Sequence, residues 1–215
     1  MILLALEASS ERRSVAVARD GRVLAQASHA AGRDTPLFAL IRQVLDQAEV
    51  AREAVETVAV GLGPGSYTGI RTTIAAAQGW ELALGTRLLG LSSVEACAVR
   101  CRREGLRGRV AIVVDAQRGE FYTAEYELTD AAVRSLTPLR LVARAALDPL
   151  PARGAQLAGP DTTRAGLRGR EVMPDAAALI ELAAASTDFV TGESLAPVYL
   201  RATNFAKAPP ARQVG

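Results

Sequence analysis

The sequence has few of the residue types that build metal sites and disulfide frameworks. Its 215 residues include one histidine, His29, and two cysteines, Cys97 and Cys101. Transition-metal sites depend on several imidazole or thiolate ligands, which these three residues cannot supply in adequate number. Two cysteines are also too few for a disulfide framework. We therefore predict that the chain has no metal centre and that both thiols are reduced and structural.

Long apolar runs and a strong net charge are also missing. The chain has no run of about 18 apolar residues, the length that crosses a bilayer. Its start, MILLALEASS, has neither the basic segment nor the cleavage site of a secretory signal, which predicts a cytoplasmic protein. The formal net charge of +2 gives no argument for a nucleic-acid surface. The arginine-rich run 100–109 is the local exception, and it fits either an RNA-facing patch or a solvated helix end.

A glycine-rich loop is the most informative feature that is present. Residues 61–71 read GLGPGSYTGIR and follow an apolar strand, Val58–Val60. We predict a helix from about Gly69 to Leu84, with Ser66 or Thr68 capping its first turn. The N-terminus of a helix attracts anions, so phosphate binding has to be considered. A P-loop, however, has a lysine and a hydroxyl residue directly after its last glycine, and this loop continues with Ile70 and Arg71.

The order of the other elements predicts the fold class. Three strands come first, at Ile2–Leu6, Ser14–Ala18 and Val23–Ser28, with Asp20-Gly21 as a hairpin turn. A helix follows, which Thr35 can cap with Pro36 in its first turn; its apolar face consists of Leu37, Leu40, Ile41, Val44, Leu45 and Ala48. Strands and helices then alternate. This order is typical of the ribonuclease H-like α/β fold.

A second copy of the opening pattern begins near residue 109. The apolar strand Val110–Val114 ends in Asp115, as Ile2–Leu6 ends in Glu7, and a second strand, Glu120–Glu127, follows a polar turn. We interpret this as a worn internal duplication, the two-lobed architecture of the actin, Hsp70 and sugar-kinase superfamily. We expect a first lobe at 1–106, a reduced second lobe at 107–206 whose one convincing helix is 175–185, and a loose tail at 207–215.

Four sequence blocks resemble one family. GPGSYTGIR, the opening ILLALEASSERRSVAV, the segment VVDAQRGEFY and the ending APVYLR are similar to blocks of the TsaB (YeaZ) family, in family order and over essentially the whole chain. The resemblance implies a non-catalytic scaffold subunit in the bacterial synthesis of threonylcarbamoyladenosine on transfer RNA. It implies no cofactor.

The resemblance also implies partners. The catalytic paralog TsaD transfers the threonylcarbamoyl group to the adenosine next to the anticodon of ANN-decoding transfer RNAs, and the ATPase TsaE joins the assembly. The TsaB-like subunit would touch transfer RNA only through the complex and would form a homodimer when alone. TsaD carries two histidines four residues apart on a helix, whereas the residue four positions after His29 here is Arg33.

The same resemblance places the partner interface on the first two helices. The small residues of the second helix allow close helix approach, and Trp80 is an anchor of the type enriched at interface centres. The expected interface comprises Leu37, Leu40, Ile41, Val44, Ile70, Arg71, Ile74, Ala75, Ala76, Gly79 and Trp80. The alternative is that both helices only cover their own sheet. The signature loop would fix the start of the second helix; it consists of Gly63, Pro64, Gly65, Ser66, Tyr67, Thr68 and Gly69.

Two enzyme functions remain as alternatives. A nucleotide-binding enzyme of the sugar-kinase type would need Glu7 and Asp115 to converge with the loop on one cleft, where two carboxylates could serve Mg²⁺. Relatives usually carry aspartate at the position of Glu7, so we expect the extra methylene to move this carboxylate further into the cleft. A serine peptidase would need Ser66 as the nucleophile, His29 as the base, and Asp115 or Asp34 to orient the base.

Overall fold

The first sheet is built from the strands that the sequence predicts. The computed structural model describes residues 1–30, 37–198 and 200; the predicted cap at Thr35 and Pro36, the candidate acid Asp34 and the tail 207–215 lie outside these residues. The sheet contains β1 (Ile2–Glu7), β2 (Arg12–Arg19), β3 (Arg22–Ala30), β4 (Thr57–Gly61) and β5 (Arg87–Leu91). Its order is β3-β2-β1-β4-β5, with the first three strands antiparallel and β1, β4 and β5 parallel.

The hairpin between β2 and β3 turns where the sequence predicts. Asp20 and Gly21 both have positive φ angles, 50° and 78°. Two consecutive left-handed residues match the twist of the flanking strands, which is why Asp-Gly favours two-residue hairpins.

The second sheet repeats the arrangement of the first. It contains β6 (Gly108–Asp115), β7 (Glu120–Leu128), β8 (Val133–Ser135), β9 (Arg140–Ala143), β10 (Gln156–Gly159) and β11 (Arg170–Glu171). The order is β11-β10-β6-β7-β8, with β9 also paired to β7. β6 is antiparallel to β7 and parallel to β10, as β1 is antiparallel to β2 and parallel to β4. The predicted fold class, a duplicated two-lobed α/β fold with a reduced second copy, is confirmed.

Four α-helices occur in the described residues: α1 (Leu37–Gln47), α2 (Tyr67–Leu84), α3 (Ser93–Arg103) and α4 (Ala176–Ala184). The described chain between β9 and β10 forms only single 3₁₀ turns, at Arg144–Ala146 and Pro151–Arg153. Asp175 caps α4 by accepting a hydrogen bond from the Ala178 N–H at 2.8 Å. None of the helices within the described residues combines the length and apolar character needed to cross a membrane.

Successive side chains of a β-strand point to opposite faces of the sheet, and this alternation divides the core into layers. In β1, Leu4 and Leu6 pack with α1 and α2, whereas Leu3 and Ala5 pack with α4 on the opposite face. α3 lies between the sheets, because Cys97 and Cys101 contact the apolar face of the second sheet while other α3 residues pack toward α4. Both cysteines are buried and free, as the sequence predicts. This layering brings the ends of β1 and β6 to the two sides of one cleft.

Candidate functional site

The signature loop begins α2 through a side-chain cap. The Ser66 hydroxyl accepts a hydrogen bond from the Gly69 N–H at 3.3 Å, and the Ser66 N–H donates to the Ser9 carbonyl at 2.7 Å. The predicted helix cap is therefore confirmed at Ser66. The second hydrogen bond attaches the loop to the turn between β1 and β2, which the sequence does not reveal.

The glycines of the loop allow this close approach. A Cβ atom at Gly65 would overlap the Ser9 carbonyl, and one at Gly69 would overlap the Ala8 carbonyl and the Arg13 guanidinium. Gly63 has a φ of +85°, in the left-handed region that favours glycine. At Gly65 and Gly69 the loop thus lies directly on the β1–β2 turn, with no space for a side chain.

Glu7 ends β1 as predicted, but its carboxylate turns inward. The side chain is fully buried. One carboxylate oxygen accepts a hydrogen bond from the Ser9 N–H and the other from the Ser93 hydroxyl, both at 2.7 Å. Burial raises the pKa of Glu7, and the hydrogen bonds from Ser9 and Ser93 oppose that rise. The expectation that this carboxylate extends into the cleft is wrong, because Ser93 holds it beneath the loop.

Arg13 fills the space between the turn and the loop. Its guanidinium donates to the carbonyls of Ala8 and Ser10 and reaches the Ser66 hydroxyl at 3.4 Å. Burial lowers the pKa of Arg13, and the negative charge of Glu7 opposes this. Arg13 therefore braces the loop and forms part of the wall of the cleft.

Asp115 borders a polar cleft of about 410 Å³ between the signature loop and the second sheet. Its N–H donates to the Asp161 carboxylate at 3.1 Å, and its own carboxylate accepts from the Gln117 N–H at 2.7 Å. Asp161 is paired with Arg164, which also reaches Glu11, in the turn between β1 and β2, at 2.8 Å. Burial raises the pKa of Asp161, whereas Arg164 and the Asp115 N–H lower it. Of the two strand-end carboxylates, only Asp115 lines this cleft.

Ser66 and His29 do not form a nucleophile and base pair. His29 is exposed on the edge strand β3, where its Nδ1 atom lies 2.6 Å from the Ala30 carbonyl. The hydrogen bonds of the Ser66 hydroxyl go to the Gly69 N–H and to Arg13. Within the described residues, no group of three or more histidine, cysteine or acidic side chains is arranged to hold a metal ion.

The arginines of the run 100–109 are paired with carboxylates. Arg102 and Arg103 both contact Glu181 of α4, and Arg100 contacts Glu104. Arg107 and Arg109 are likewise paired, with Asp130 and Glu125. Arg102 and Arg103 therefore tie α3 to α4.

The predicted interface residues separate into two groups. Eight are buried against their own sheet: Leu37, Leu40, Ile41, Val44, Ile70, Ile74, Ala76 and Trp80. Arg71, Ala75 and Gly79 are exposed on the outer face of α2. The Arg71 guanidinium lies 4.2 Å from the centroid of the Tyr67 ring, one turn earlier on the same helix. An interface on these helices can therefore be formed directly only by the exposed group and its neighbours.

An apolar groove lies beside the exposed face of α2. One of its lining residues, Phe38, was not identified from the sequence. Trp80 and Phe38 line two adjoining hollows of about 510 and 370 Å³, the second of which continues along Ala75 and Gly79. Phe38 is 66% exposed. It falls between the buried positions of the α1 pattern, and a large apolar residue on the polar side of an amphipathic helix is the signal that could have identified it.

Comparisons with known proteins agree with this architecture. The family model described as TsaD, tRNA N6-adenosine threonylcarbamoyltransferase, matches residues 29–172. The structure of YeaZ from Pseudomonas aeruginosa is 31% identical and superimposes with a TM-score of 0.78 over 93% of this chain and 99% of that one. The TsaB proteins of Escherichia coli and Bacillus subtilis are 32% and 26% identical over 59% and 64% of this chain. The matched region spans 55 to 60% of the length of these two curated relatives.

The fold and the cleft define a two-lobed protein of the actin and sugar-kinase type, in which the first-strand carboxylate is turned away from the cleft. The chain belongs to the TsaD family and, within it, to the TsaB (YeaZ) proteins. The family resemblance drawn from the four sequence blocks is thereby confirmed.

Proposed function

We propose that the chain is a non-catalytic subunit that binds TsaD. TsaD would transfer the threonylcarbamoyl group to the adenosine beside the anticodon of ANN-decoding transfer RNAs, in the cytoplasm and with the ATPase TsaE in the assembly. The observation that carries the proposal is the outer face of α2, where exposed small residues lie next to the groove floored by Trp80. The names of the curated relatives, biosynthesis proteins for threonylcarbamoyladenosine on transfer RNA, support the same pathway.

The shape of this face suits a helical partner. Thr72, Ala75, Gly79 and Ala83 are exposed at helical spacing and leave the α2 backbone open to close approach. A Cβ atom at Gly79 would meet no other atom within 4 Å, so the surface there is open. Leu82 is 90% exposed at the end of the same helix. Such a combination of close backbone approach and exposed apolar side chains favours burial against another helix.

The contacts around the cleft support a non-catalytic role. Glu7 is engaged beneath the loop, and the Ser66 hydroxyl serves as a helix cap. A nucleophile needs a base within hydrogen-bonding reach, and the edge position of His29 does not supply one to Ser66. These contacts favour neither the sugar-kinase alternative nor the peptidase alternative.

Sedimentation velocity tests the proposal directly. The chain is measured alone and then mixed with the TsaD paralog from the same organism at low micromolar concentration. We expect a new species with the mass of a one-to-one complex, to which added TsaE binds. Alone, the chain should form a homodimer through the same face. Separate species under all these conditions would instead favour a stand-alone activity, to be examined by titration with ATP and Mg²⁺.

Two substitutions locate the surface. Ala75→Glu and Gly79→Glu place a charge on the exposed face of α2, and we expect each to abolish the complex while the fold is retained. Ala184→Glu is the matched control, because Ala184 is also an exposed helical residue but lies at the end of α4. Ala76 is unsuitable because its side chain is buried. Undiminished binding by both α2 variants would show that the partner uses another surface.

A further inference from the structure

We propose that Glu7 is a positioning residue that holds the signature loop in place from beneath, through Ser9 and Ser93. β1 ends beside the cleft, whose lining includes Ser9 and Ser10. The Glu7 carboxylate at the end of β1 is nevertheless fully buried and accepts its hydrogen bonds from Ser9 and Ser93. Its role is to join three separate segments of the first lobe.

The first two segments meet at the carboxylate. One oxygen accepts the Ser9 N–H, which belongs to the turn after β1, and the other accepts the hydroxyl of Ser93 in the first turn of α3. Removal of the carboxylate would leave the Ser9 N–H and the Ser93 hydroxyl as buried donors without this acceptor. Both contacts therefore hold the carboxylate in this position.

The third segment is the signature loop, which Ser93 connects to Glu7. The Ser93 hydroxyl accepts the Gly63 N–H at 3.0 Å, and the Ser93 N–H donates to the Gly63 carbonyl at 3.1 Å. Both polar groups of the Gly63 backbone are thus bound to one serine. Because the Ser93 hydroxyl donates to Glu7 while it accepts from Gly63, its single proton is oriented by the carboxylate.

Steric contact completes the arrangement. A Cβ atom at Gly61 would overlap the Glu7 carboxylate and approach the Ser93 hydroxyl to 2.7 Å. The strand that leads into the loop therefore lies against the carboxylate with no intervening space. The loop cannot shift toward β1 without displacing a buried group that has two hydrogen bonds.

The arrangement extends to the start of α2. Ser66, the cap of α2, follows Gly63 by three residues and is itself bound to the Ser9 carbonyl. Glu7 thus binds the turn directly, through the Ser9 N–H, and binds the loop indirectly, through Ser93 and Gly63. An effect of these contacts on partner binding at the outer face of α2 rests on the proposed function. The positioning role of Glu7 does not depend on that function.

Amide hydrogen exchange of the full chain, measured by NMR, tests the positioning role. In Ser93→Ala the Gly63 amide loses its acceptor while the Ser9 amide keeps Glu7, so we expect exchange at Gly63 to accelerate at least about tenfold with Ser9 unchanged. In Glu7→Ala, both amides should accelerate. Glu125→Ala is the matched control, because Glu125 is an equally buried glutamate in β7 of the other lobe. It should affect neither amide selectively.

The two variants also keep the test decisive. Ser93→Ala removes one hydroxyl and retains the fold even if Glu7→Ala does not. Two results with Ser93→Ala would overturn the positioning role. One is equal acceleration of exchange at the Ser9 and Gly63 amides, and the other is exchange at Gly63 no faster than at the amides of α2 and β4. If the proposed function also holds, Ser93→Ala weakens the TsaD complex although Ser93 lies outside the α2 face. Failure of the wild-type chain to bind TsaD would count against the proposed function and leave the exchange result to decide the role of Glu7.

Discussion

The Arg164 guanidinium lies 2.8 Å from the Glu11 carboxylate and so connects the loop after β10 to the turn between β1 and β2 across the cleft. The same guanidinium is paired with Asp161, whose carboxylate accepts the Asp115 N–H. The Arg164 and Glu11 side chains are 61% and 71% exposed. The ion pair therefore spans the cleft in a well-solvated position, where Coulomb attraction is weak and screened by salt.

We expect Arg164→Ala to lower the free energy of unfolding by less than about 1 kcal/mol, because exposed ion pairs contribute little. A double-mutant cycle with Glu11→Ala, measured by urea denaturation, should give a coupling energy of about 0.2–1 kcal/mol at low salt and less at high salt. A coupling energy that is large and independent of salt would show that the pair is a major support of the two lobes.

Arg109→Ala should be more damaging than Arg164→Ala. Glu125 is only 2% exposed and accepts Arg109 at 2.6 Å, with Arg140 further away at 3.4 Å. Removal of the nearer arginine leaves a buried carboxylate poorly compensated, which we expect to cost about 2 kcal/mol or more. Thermal and urea unfolding of the two arginine variants side by side measure the difference. Equal losses would contradict the dependence on burial.

Two glycines of α2 should respond in opposite directions to the same substitution. Gly69→Ala places a methyl group on the Ala8 carbonyl and should destabilise the fold by about 1–3 kcal/mol. Gly79→Ala meets open space and should stabilise it by about 0.5–1 kcal/mol, because alanine is the better helix former. Urea denaturation of both variants compares them within one helix. A stabilised Gly69→Ala variant would show that the loop can move away from the β1–β2 turn.

Glu7 should make stability fall as the pH rises above the ordinary glutamate range. Burial raises the pKa of Glu7 in the folded chain, so in that window the folded state holds a proton that the unfolded state has lost. Stability is therefore greatest below the unfolded pKa and declines until the pH passes the folded pKa. Glu7→Gln does not titrate, so its stability curve should lack this decline. Urea midpoints of both proteins between pH 4 and pH 8 give the comparison, and parallel curves would contradict the prediction.

Local patterns predicted most of the first lobe. The apolar runs of β1 and β2, the Asp20-Gly21 turn and the cap at Ser66 all depend on residues close in the chain. The repeated strand pattern likewise predicted β6 and β7, because β6 and β1 carry similar runs of buried residues. The strands β8 to β11, which complete the second sheet, were not predicted. The division into lobes at residue 106 remains a prediction, as does the assignment of the partner interface.

The position of the Glu7 carboxylate could not be predicted in the same way. Its partner Ser93 is 86 residues away in sequence and belongs to a helix that the chain reaches only after four further strands. A serine at the start of a helical segment is typical of a helix cap, and Ser92 has that role. Ser93 instead binds Glu7 and Gly63.

The role of Phe38 on the surface could not be predicted from local patterns either. Helical spacing identifies the buried face of α1, but it does not show which exposed residue faces a groove, because the groove is formed with Trp80 of another helix. The sequence by itself determined the fold class, the family and the glycine-rich loop, since these follow from periodicity and short-range backbone requirements. Only the tertiary structure decided that Glu7 is buried, that Asp115 borders the cleft and that the outer face of α2 is open. These properties depend on contacts between segments far apart in the chain.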